Sequence, residues 1–332
     1  MENNQRGQIW FAVVNAYAAS MTALSYWEKA ENMFRQKGLL FHGTRTGKGG
    51  NVAELTFDAC MAGYRKFIAV GGDGTVHDVL NGIAGFLEWG AASGRKLSFS
   101  DFTLAVIPVG SGNDWIKTYG MSPALEAAVD TLVAGVSRPQ DVVRVSMLDS
   151  FALPAKIELS VSYMVNVAGI GLDADVCAKV NAKKKQGKKG KLLYVTSLVK
   201  SIMERQATSI RIICDDNTVF DGPIFSAAFG VGKYSGGGMR QTPAAVPDDG
   251  LLDLTVIPEI PMRRISKEAY RLFTGSLLEV PEVVSARARS IVIQSSDDRQ
   301  QLPVQVDGEV VGKLPVMMQV LDSQINVVVP EK

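Results

Sequence analysis

Residues 68–82 read I-A-V-G-G-D-G-T-V-H-D-V-L-N-G. An apolar run ending at Val70 meets Gly71-Gly72-Asp73-Gly74-Thr75, and Val76, Val79, Leu80 and Ile83 then recur at helical spacing. The stretch predicts a strand, a tight turn and a helix. Its three glycines admit backbone conformations closed to other residues and let N–H groups approach a second molecule. The helix that follows aims unpaired N–H groups and the positive end of its dipole at the same spot. This construction suits a phosphate, and Asp73 fits there when a metal ion or cationic group offsets its charge. Plain strand-to-helix connections use the same glycines, so the turn alone leaves a purely structural role open. Two commoner phosphate loops do not fit. Rossmann spacing counted from Gly72 arrives at His77, and Gly43-Thr44-Arg45-Thr46-Gly47-Lys48-Gly49 is one residue short of a Walker loop and lacks Ser/Thr after the lysine.

On either side of this turn, strand signals near 8–14, 38–42, 67–71 and 103–109 alternate with helical patterns near 20–37, 51–63, 75–89 and 122–135. That order predicts a parallel sheet flanked by helices, with ligands at the carboxyl ends of the strands. From about Val142 the texture changes to short alternating runs at 142–147, 156–168, 209–214, 223–231, 251–257, 289–294, 303–306 and 316–328. Asp-Gly, Pro and Gly separate them, which predicts an antiparallel sandwich or barrel. Helical stretches near 190–204 and 263–278 interrupt it. The boundary is placed at Ser137-Arg138-Pro139, giving an α/β domain over 1–137 and a β-rich domain over 138–332.

At 332 residues, 46% apolar and 21% charged, the chain has material for two domains with buried cores. Its net charge of +1 sets up no global field for nucleic acid, which is not expected as a partner. Cys60, Cys177 and Cys214 are scattered and never in C-x-x-C spacing, which argues against a disulfide framework or zinc site and for a cytoplasmic setting. The two histidines, His42 and His77, leave little room for a His-based metal cluster or a Ser-His-Asp hydrolase. No run approaches the ~18 apolar residues of a membrane helix. The short run Ile9–Val14 reads as a first strand rather than a signal peptide. Lys183-Lys184-Lys185-Gln186-Gly187-Lys188-Lys189-Gly190-Lys191 reads either as a contact for anionic head groups or phosphates, or as a solvated loop.

A second strand-glycine-acid-helix unit runs from Leu104–Pro108 into Val109-Gly110-Ser111-Gly112-Asn113-Asp114-Trp115. The Ser111 hydroxyl and nearby backbone donors suit phosphate oxygens, and Asp114 is expected at the same sheet edge as Asp73. Ser-Gly-Asn-Asp is also a good turn and helix cap in its own right. Val304-Gln305-Val306-Asp307-Gly308-Glu309-Val310-Val311 is a strong hairpin signal. Its chemical reading makes Asp307 a general base and Glu309 a metal ligand or electrostatic partner, and phosphoryl transfer asks little more of a protein. Pro247-Asp248-Asp249-Gly250-Leu251-Leu252-Asp253 reads as a turn before a strand, or as a metal loop. The metal reading uses the Asp249 carboxylate with the Val246 and Leu251 carbonyls, oxygen ligands suited to Mg²⁺ or Ca²⁺.

Together these segments resemble the diacylglycerol kinase catalytic-domain family of lipid kinases, in particular its soluble bacterial members and the sphingoid-base kinases. The resemblance spans nearly the whole chain. It covers Asn15 after a strand, Thr44, GGDGT at 71–75, GSGND at 110–114, Gly169-Ile170-Gly171-Leu172-Asp173-Ala174, the lysine stretch, PDDGLLDL at 247–254 and DGE at 307–309. GGDGT alone is shared with NAD kinases; the combination in this order marks the lipid kinases. The family implies an N-terminal three-layer α/β nucleotide domain and a C-terminal antiparallel β-sandwich domain that contributes the lipid site and Asp-Gly-Glu. It implies nucleotide contacts at Thr44, Gly71, Gly72, Asp73, Gly74, Thr75, Gly110, Ser111, Gly112 and Asn113, with Asp73 and Asp114 near the phosphates and Mg²⁺. It further implies Asp307 as proton acceptor beside Glu309, and a structural metal at Val246, Asp249 and Leu251. Asn15-Ala16-Tyr17-Ala18-Ala19-Ser20 departs from the usual Asn-Pro and following glycine, Asp78 stands for the usual Glu, and Ser111 for the commoner Thr.

The expectation is an ATP-dependent, Mg²⁺-requiring lipid kinase, cytoplasmic and visiting the membrane surface through the lysine stretch or the Met262–Leu278 helix. A soluble kinase of NAD type and a non-catalytic nucleotide- or lipid-binding protein are the alternatives. Diacylglycerol, phosphatidylglycerol, a ceramide or a sphingoid base all remain open as acceptor, as does the oligomeric state.

Overall fold

The computed structural model describes residues 6–18, 22–47, 50–110, 112–150, 158–185, 196–197, 200–201, 208–296 and 302–331. The chain divides into two compact units, Met1–Val142 with Asp322–Lys332, and Val143–Leu321.

In the first unit, β1 (Trp10–Val14), β2 (Phe41–Arg45), β3 (Lys66–Gly71) and β4 (Thr103–Pro108) are parallel and ordered β2-β1-β3-β4. Helices α1 (Thr22–Gln36), α2 (Val52–Met61), α3 (Asp73–Ala92), α4 (Asp114–Thr118) and α5 (Leu125–Ala134) accompany them. One sheet face presents Ala12, Val14, Ile68, Val70, Ala105 and Ile107 to Trp27 and Phe34 of α1 and to Val129 and Leu132 of α5. Phe67 alternates with Ile68 and so faces the other way, where Phe102 stacks on it and meets Phe86 of α3 edge-on. α2 lies against α3 so closely that a Cβ at Gly82 would stand 2.4 Å from the Ala53 carbonyl oxygen. Helices on both faces explain why β3 and β4 read as continuous apolar runs.

The division differs from the expected boundary after residue 137. β5 (Ser137–Gln140) belongs to the first sheet, where it pairs antiparallel with a C-terminal strand, Ile325–Val328, that itself lies parallel to β4. The apolar run expected as one strand over 316–328 is therefore two strands in two sheets. Periodicity is the same on both sides of the break at Leu321–Gln324, so alternation alone could not reveal the change of partner.

The second unit is an antiparallel sheet built from β6 (Val143–Leu148), β7 (Glu158–Met164), β8 (Val167–Gly171), β9 (Thr208–Cys214) and β10 (Asn217–Gly230). A small ribbon follows, β11 (Tyr234–Ser235) and β12 (Met239–Arg240), then β13 (Leu252–Pro258) and β14 (Val284–Ala288). β15 (Ser290–Ser295), β16 (Pro303–Val306), β17 (Glu309–Lys313) and β18 (Val316–Val320) complete it. The order is β17-β16-β8-β10-β9-β15-β18-β6-β7, with β13 on β10 and β14 on β13. β10 is long enough to branch, pairing β9 along its first half and both β8 and β13 along its second. The sheet thereby folds over one core that includes Met164, Ile170, Ile212, Phe229, Leu254, Ile293, Val304 and Met318.

Helix α6 (Leu172–Lys185) was not expected from the sequence. Its signal is present but thin: Leu172, Val176 and Val180, four residues apart, are its buried stripe and pack on Phe225. The helix expected over 263–278 is broken into α7 (Met262–Glu268), α8 (Arg271–Thr274) and a 3-10 turn at Leu277–Glu279, with Gly275 ending α8 at φ 84°. Of the helix expected over 190–204, only 196–197 and 200–201 lie among the described residues, and these are helical.

Candidate active site

Because β3 and β4 are neighbours in register, with Gly71 opposite Pro108, their glycine turns leave the sheet side by side. Gly71 is required by its own turn: a Cβ there would lie 2.1 Å from the Thr75 hydroxyl oxygen. Thr75 is buried, and its hydroxyl accepts the Asn15 amide at 3.2 Å, so this side chain ties the first loop to the second rather than facing a ligand. A Cβ on Gly110 would come 3.4 Å from Gly72 Cα and 2.9 Å from Asn113 Oδ1, so the turns approach backbone to backbone. Gly72 caps α3 without any side-chain hydrogen bond, and Asn113, at φ 46°, opens α4.

Asp73 joins the two turns. Its Oδ2 accepts the Asp114 N–H and its Oδ1 the Trp115 N–H, both at 3.0 Å. Asp114 is itself buried and paired with Lys117 Nζ at 2.6 Å. The two carboxylates converge on Gly112, where a Cβ would meet Asp73 Oδ2 at 3.3 Å and Asp114 Oδ2 at 3.8 Å. Asn113 Oδ1 is buried there and has no hydrogen-bond partner. Carboxylate oxygens are ligands of the kind hard divalent cations take, and here Lys117 already stands on Asp114 while each Asp73 oxygen accepts a backbone N–H. Thr44 lies within β2 rather than in a loop, half-buried, and it is Thr46 that accepts the Ala16 N–H at 3.0 Å. Ser111 lies outside the described residues.

In the second unit, Asp307 and Gly308 form the two-residue turn between β16 and β17, at φ 51° and 89°, as a hairpin turn of the primed type requires. The Asp307 carboxylate is clamped by the β7–β8 turn: Oδ1 accepts the Asn166 and Val167 N–H at 3.0 and 3.1 Å, and Oδ2 the Val165 N–H at 3.2 Å. Glu309 Oε2 accepts the Asn181 amide at 3.2 Å. Beneath the turn runs a chain of bonds that sequence reasoning missed. Gln241 and Gln305 donate to the two oxygens of Asp173 at 3.0 and 2.7 Å, and Gln305 Oε1 accepts the Gly308 N–H at 2.9 Å. Gly169 makes room for it, since a Cβ there would be 2.2 Å from Asp173 Oδ2. The partners are 68 and 132 positions from Asp173, so no local sequence signal marked them.

In the Pro247–Asp253 loop Asp248 and Asp249 are exposed, whereas the Asp253 carboxylate is buried. Asp249 Oδ1 accepts the Leu251 N–H at 3.1 Å and Oδ2 meets Arg287 Nη2, while Arg287 Nε reaches Asp253 Oδ2 at 3.3 Å. Burial pushes the Asp253 carboxyl up, with the Arg287 guanidinium opposing it. Among the described residues no group of three or more His, Cys, Asp or Glu side chains is placed to hold a metal. At the expected structural metal site of Val246, Asp249 and Leu251, a guanidinium stands on the one carboxylate. Of the lysine stretch, Lys183 donates to the buried Ser197 hydroxyl at 3.1 Å, and residues 186–191 lie outside the described residues. No helix among the described residues is long and apolar enough to cross a membrane.

Two family models match in tandem: the diacylglycerol kinase catalytic domain over residues 10–145, and the YegS C-terminal NAD kinase beta sandwich-like domain over residues 166–329. A Bacillus subtilis protein named diacylglycerol kinase is 26% identical over 301 residues, covering 90% of this chain and 89% of its own. A Mycobacterium tuberculosis protein of the same name is 24% identical over 285 residues, covering 86% and 83%. Among solved structures, a diacylglycerol kinase from Bacillus anthracis superposes with a TM-score of 0.69 at 21% identity, over 97% of each chain, which bears on the fold.

Proposed function

Because the chain belongs to the diacylglycerol kinase catalytic-domain family, we propose that it transfers the γ-phosphoryl group of ATP to the hydroxyl of a diacylglycerol-like lipid. The observation that carries this reading is the joining of the two glycine turns through Asp73. It brings the start of α3, which no side chain caps, and two carboxylates to one sheet edge, an arrangement that suits a nucleotide's phosphates with their metal.

The roles follow from each group's chemistry. Gly71, Gly72 and Gly74, with Gly110 and Gly112, keep side chains out of the way so that the backbone meets the phosphates. Asp73 and Asp114 are the residues that would hold Mg²⁺. Once bound, it supplies positive charge against the triphosphate. Asp307 takes the proton from the acceptor hydroxyl as its oxygen bonds to the γ-phosphorus and the bond to the bridging oxygen breaks, releasing ADP. The three backbone donors around Asp307 fix its direction, and Glu309 adds negative charge beside it. Exposed Met262, Tyr270, Phe273 and Leu278, interspersed with Arg263 and Lys267, are our candidates for contact with the lipid surface.

The test is transfer of labelled γ-phosphate from ATP to a total bacterial lipid extract in mixed micelles, with Asp307→Asn in parallel. Asparagine tolerates the positive φ at this turn, so the variant should fold. We expect one labelled lipid, with a rate lower by roughly 10²–10⁴ in the variant. A variant as fast as the parent would remove Asp307 from the role of base. Label on a water-soluble acceptor alone would remove the lipid.

A further inference from the structure

We propose that Arg287, and not a bound divalent ion, is the cation that Asp249 and Asp253 share in the Pro247–Asp253 loop of this chain. The strand register brings it there: Arg287 of β14 stands directly opposite Asp253 of β13. From that position its Nε reaches the Asp253 carboxylate at 3.3 Å and its Nη2 reaches Asp249, so one edge of the guanidinium bridges both acids. Asp253 is 4% exposed, and a carboxylate taken that far from water needs a charged partner. Arg287 supplies it permanently, because a guanidinium does not deprotonate in a protein and its fork of donors matches carboxylate oxygens.

The loop is also closed from within. The second Asp249 oxygen is occupied by the Leu251 N–H at 3.1 Å, so the backbone turn and the cation are held by the same side chain. A divalent ion approaching Asp249 would have to displace the guanidinium or sit beside it against like charge, with Lys233 adding to the positive field around Asp253. The oxygen set read from the sequence is thus present, but its one carboxylate already holds a cationic residue of the chain. Stability of this loop is set by a covalently attached cation, independent of the concentration of free Mg²⁺ or Ca²⁺.

The experiment is thermal unfolding of the nucleotide-free full chain in EDTA, MgCl₂ and CaCl₂, for the parent, Asp249→Asn, Arg287→Gln and Arg287→Lys. We expect the parent midpoint to move by less than about 1 °C between EDTA and either salt. Any larger shift in the parent should persist in Asp249→Asn, which places it at another site. Arg287→Gln should lower the midpoint by roughly 3–6 °C, with Arg287→Lys recovering part of that loss. The inference is overturned if the parent gains several degrees from a divalent salt and Asp249→Asn abolishes the gain. It is equally overturned if Arg287→Gln unfolds like the parent. Should Arg287→Gln fail to fold, the comparison of parent and Asp249→Asn still decides, since neither depends on that variant.

Discussion

Asp73 receives the backbone N–H of Trp115 at 3.0 Å, so an acidic residue from one glycine turn caps the short helix that follows the other. Its carboxylate therefore has two duties, holding the turns together and lending charge to whatever binds there. The two separate by substitution. Asp73→Ala removes the cap and should lower unfolding stability by about 1 kcal/mol. Asp73→Asn keeps one acceptor oxygen and so one of the two backbone bonds, yet loses the whole charge, so phosphoryl transfer should fall far more than stability does. Urea unfolding beside a steady-state assay separates the effects; parallel losses in both would leave Asp73 a purely structural role.

A steric cycle tests the GGDGT turn. Gly71→Ala places a methyl group 2.1 Å from the Thr75 hydroxyl oxygen, which Asn15 holds in place. Overpacking of this kind costs about 1–3 kcal/mol. In a Thr75→Ala background the clash is gone, so the same substitution should cost much less, and the double-mutant cycle should show a coupling of roughly 0.5–3 kcal/mol. Additive effects would mean that Gly71 is demanded by backbone conformation alone.

Asp173 is expected to position the Asp307–Gly308 turn through Gln305. In Asp173→Asn, an amide replaces one of the oxygens that the Gln241 and Gln305 side chains donate to. One glutamine must then rotate or lose its partner. With the turn loosened, kcat should fall by roughly 10–100-fold, while KM for ATP holds, since the glycine turns are elsewhere in the chain. A rise in KM for ATP at constant kcat would count against this assignment.

The β6–β7 pair carries a pH dependence. Arg144 grips Glu158 with two hydrogen bonds, one of them at 2.8 Å, and holds its carboxyl down from an ordinary 4.5 to about 2. A depressed carboxyl stabilises the folded state fully above its unfolded pKa, and the contribution fades as pH falls from about 4.5 toward 2. The pair is partly exposed, so screening limits it to about 1 kcal/mol or less. Glu158→Gln should unfold at a lower temperature than the parent at pH 6, with the gap closing by pH 2–3. A gap that persists at the lowest pH would assign the effect to packing.

What was legible in the sequence had local causes. Gly71–Thr75, Gly112–Asp114 and Asp307-Gly308 are each local signals: Gly71 makes the close approach to Thr75 that a Cβ would block, and Asn113, Asp307 and Gly308 take positive φ. The strand-helix alternation of the first unit was likewise written in short periods. What escaped depended on partners far along the chain. Gln305 looked like an ordinary strand residue until Asp173, 132 positions earlier, was seen to bind it. Arg287 gained meaning only from the register that sets it against Asp253. Thr44 and Thr46 are two residues apart, and the end of β2, the burial of Thr46 and its bond from Ala16 tell them apart.

The C-terminal strand Ile325–Val328 inserts between β4 and β5, which were synthesised much earlier. On the ribosome, β4 therefore waits with an unpaired edge while roughly 180 residues of the second unit emerge, about 10–40 s at ordinary elongation rates. The second unit can form from its own contiguous residues during that interval; the first sheet cannot be completed until Ile325–Val328 has emerged. A fragment that stops after residue 142 would present that edge permanently, open to pairing with another chain.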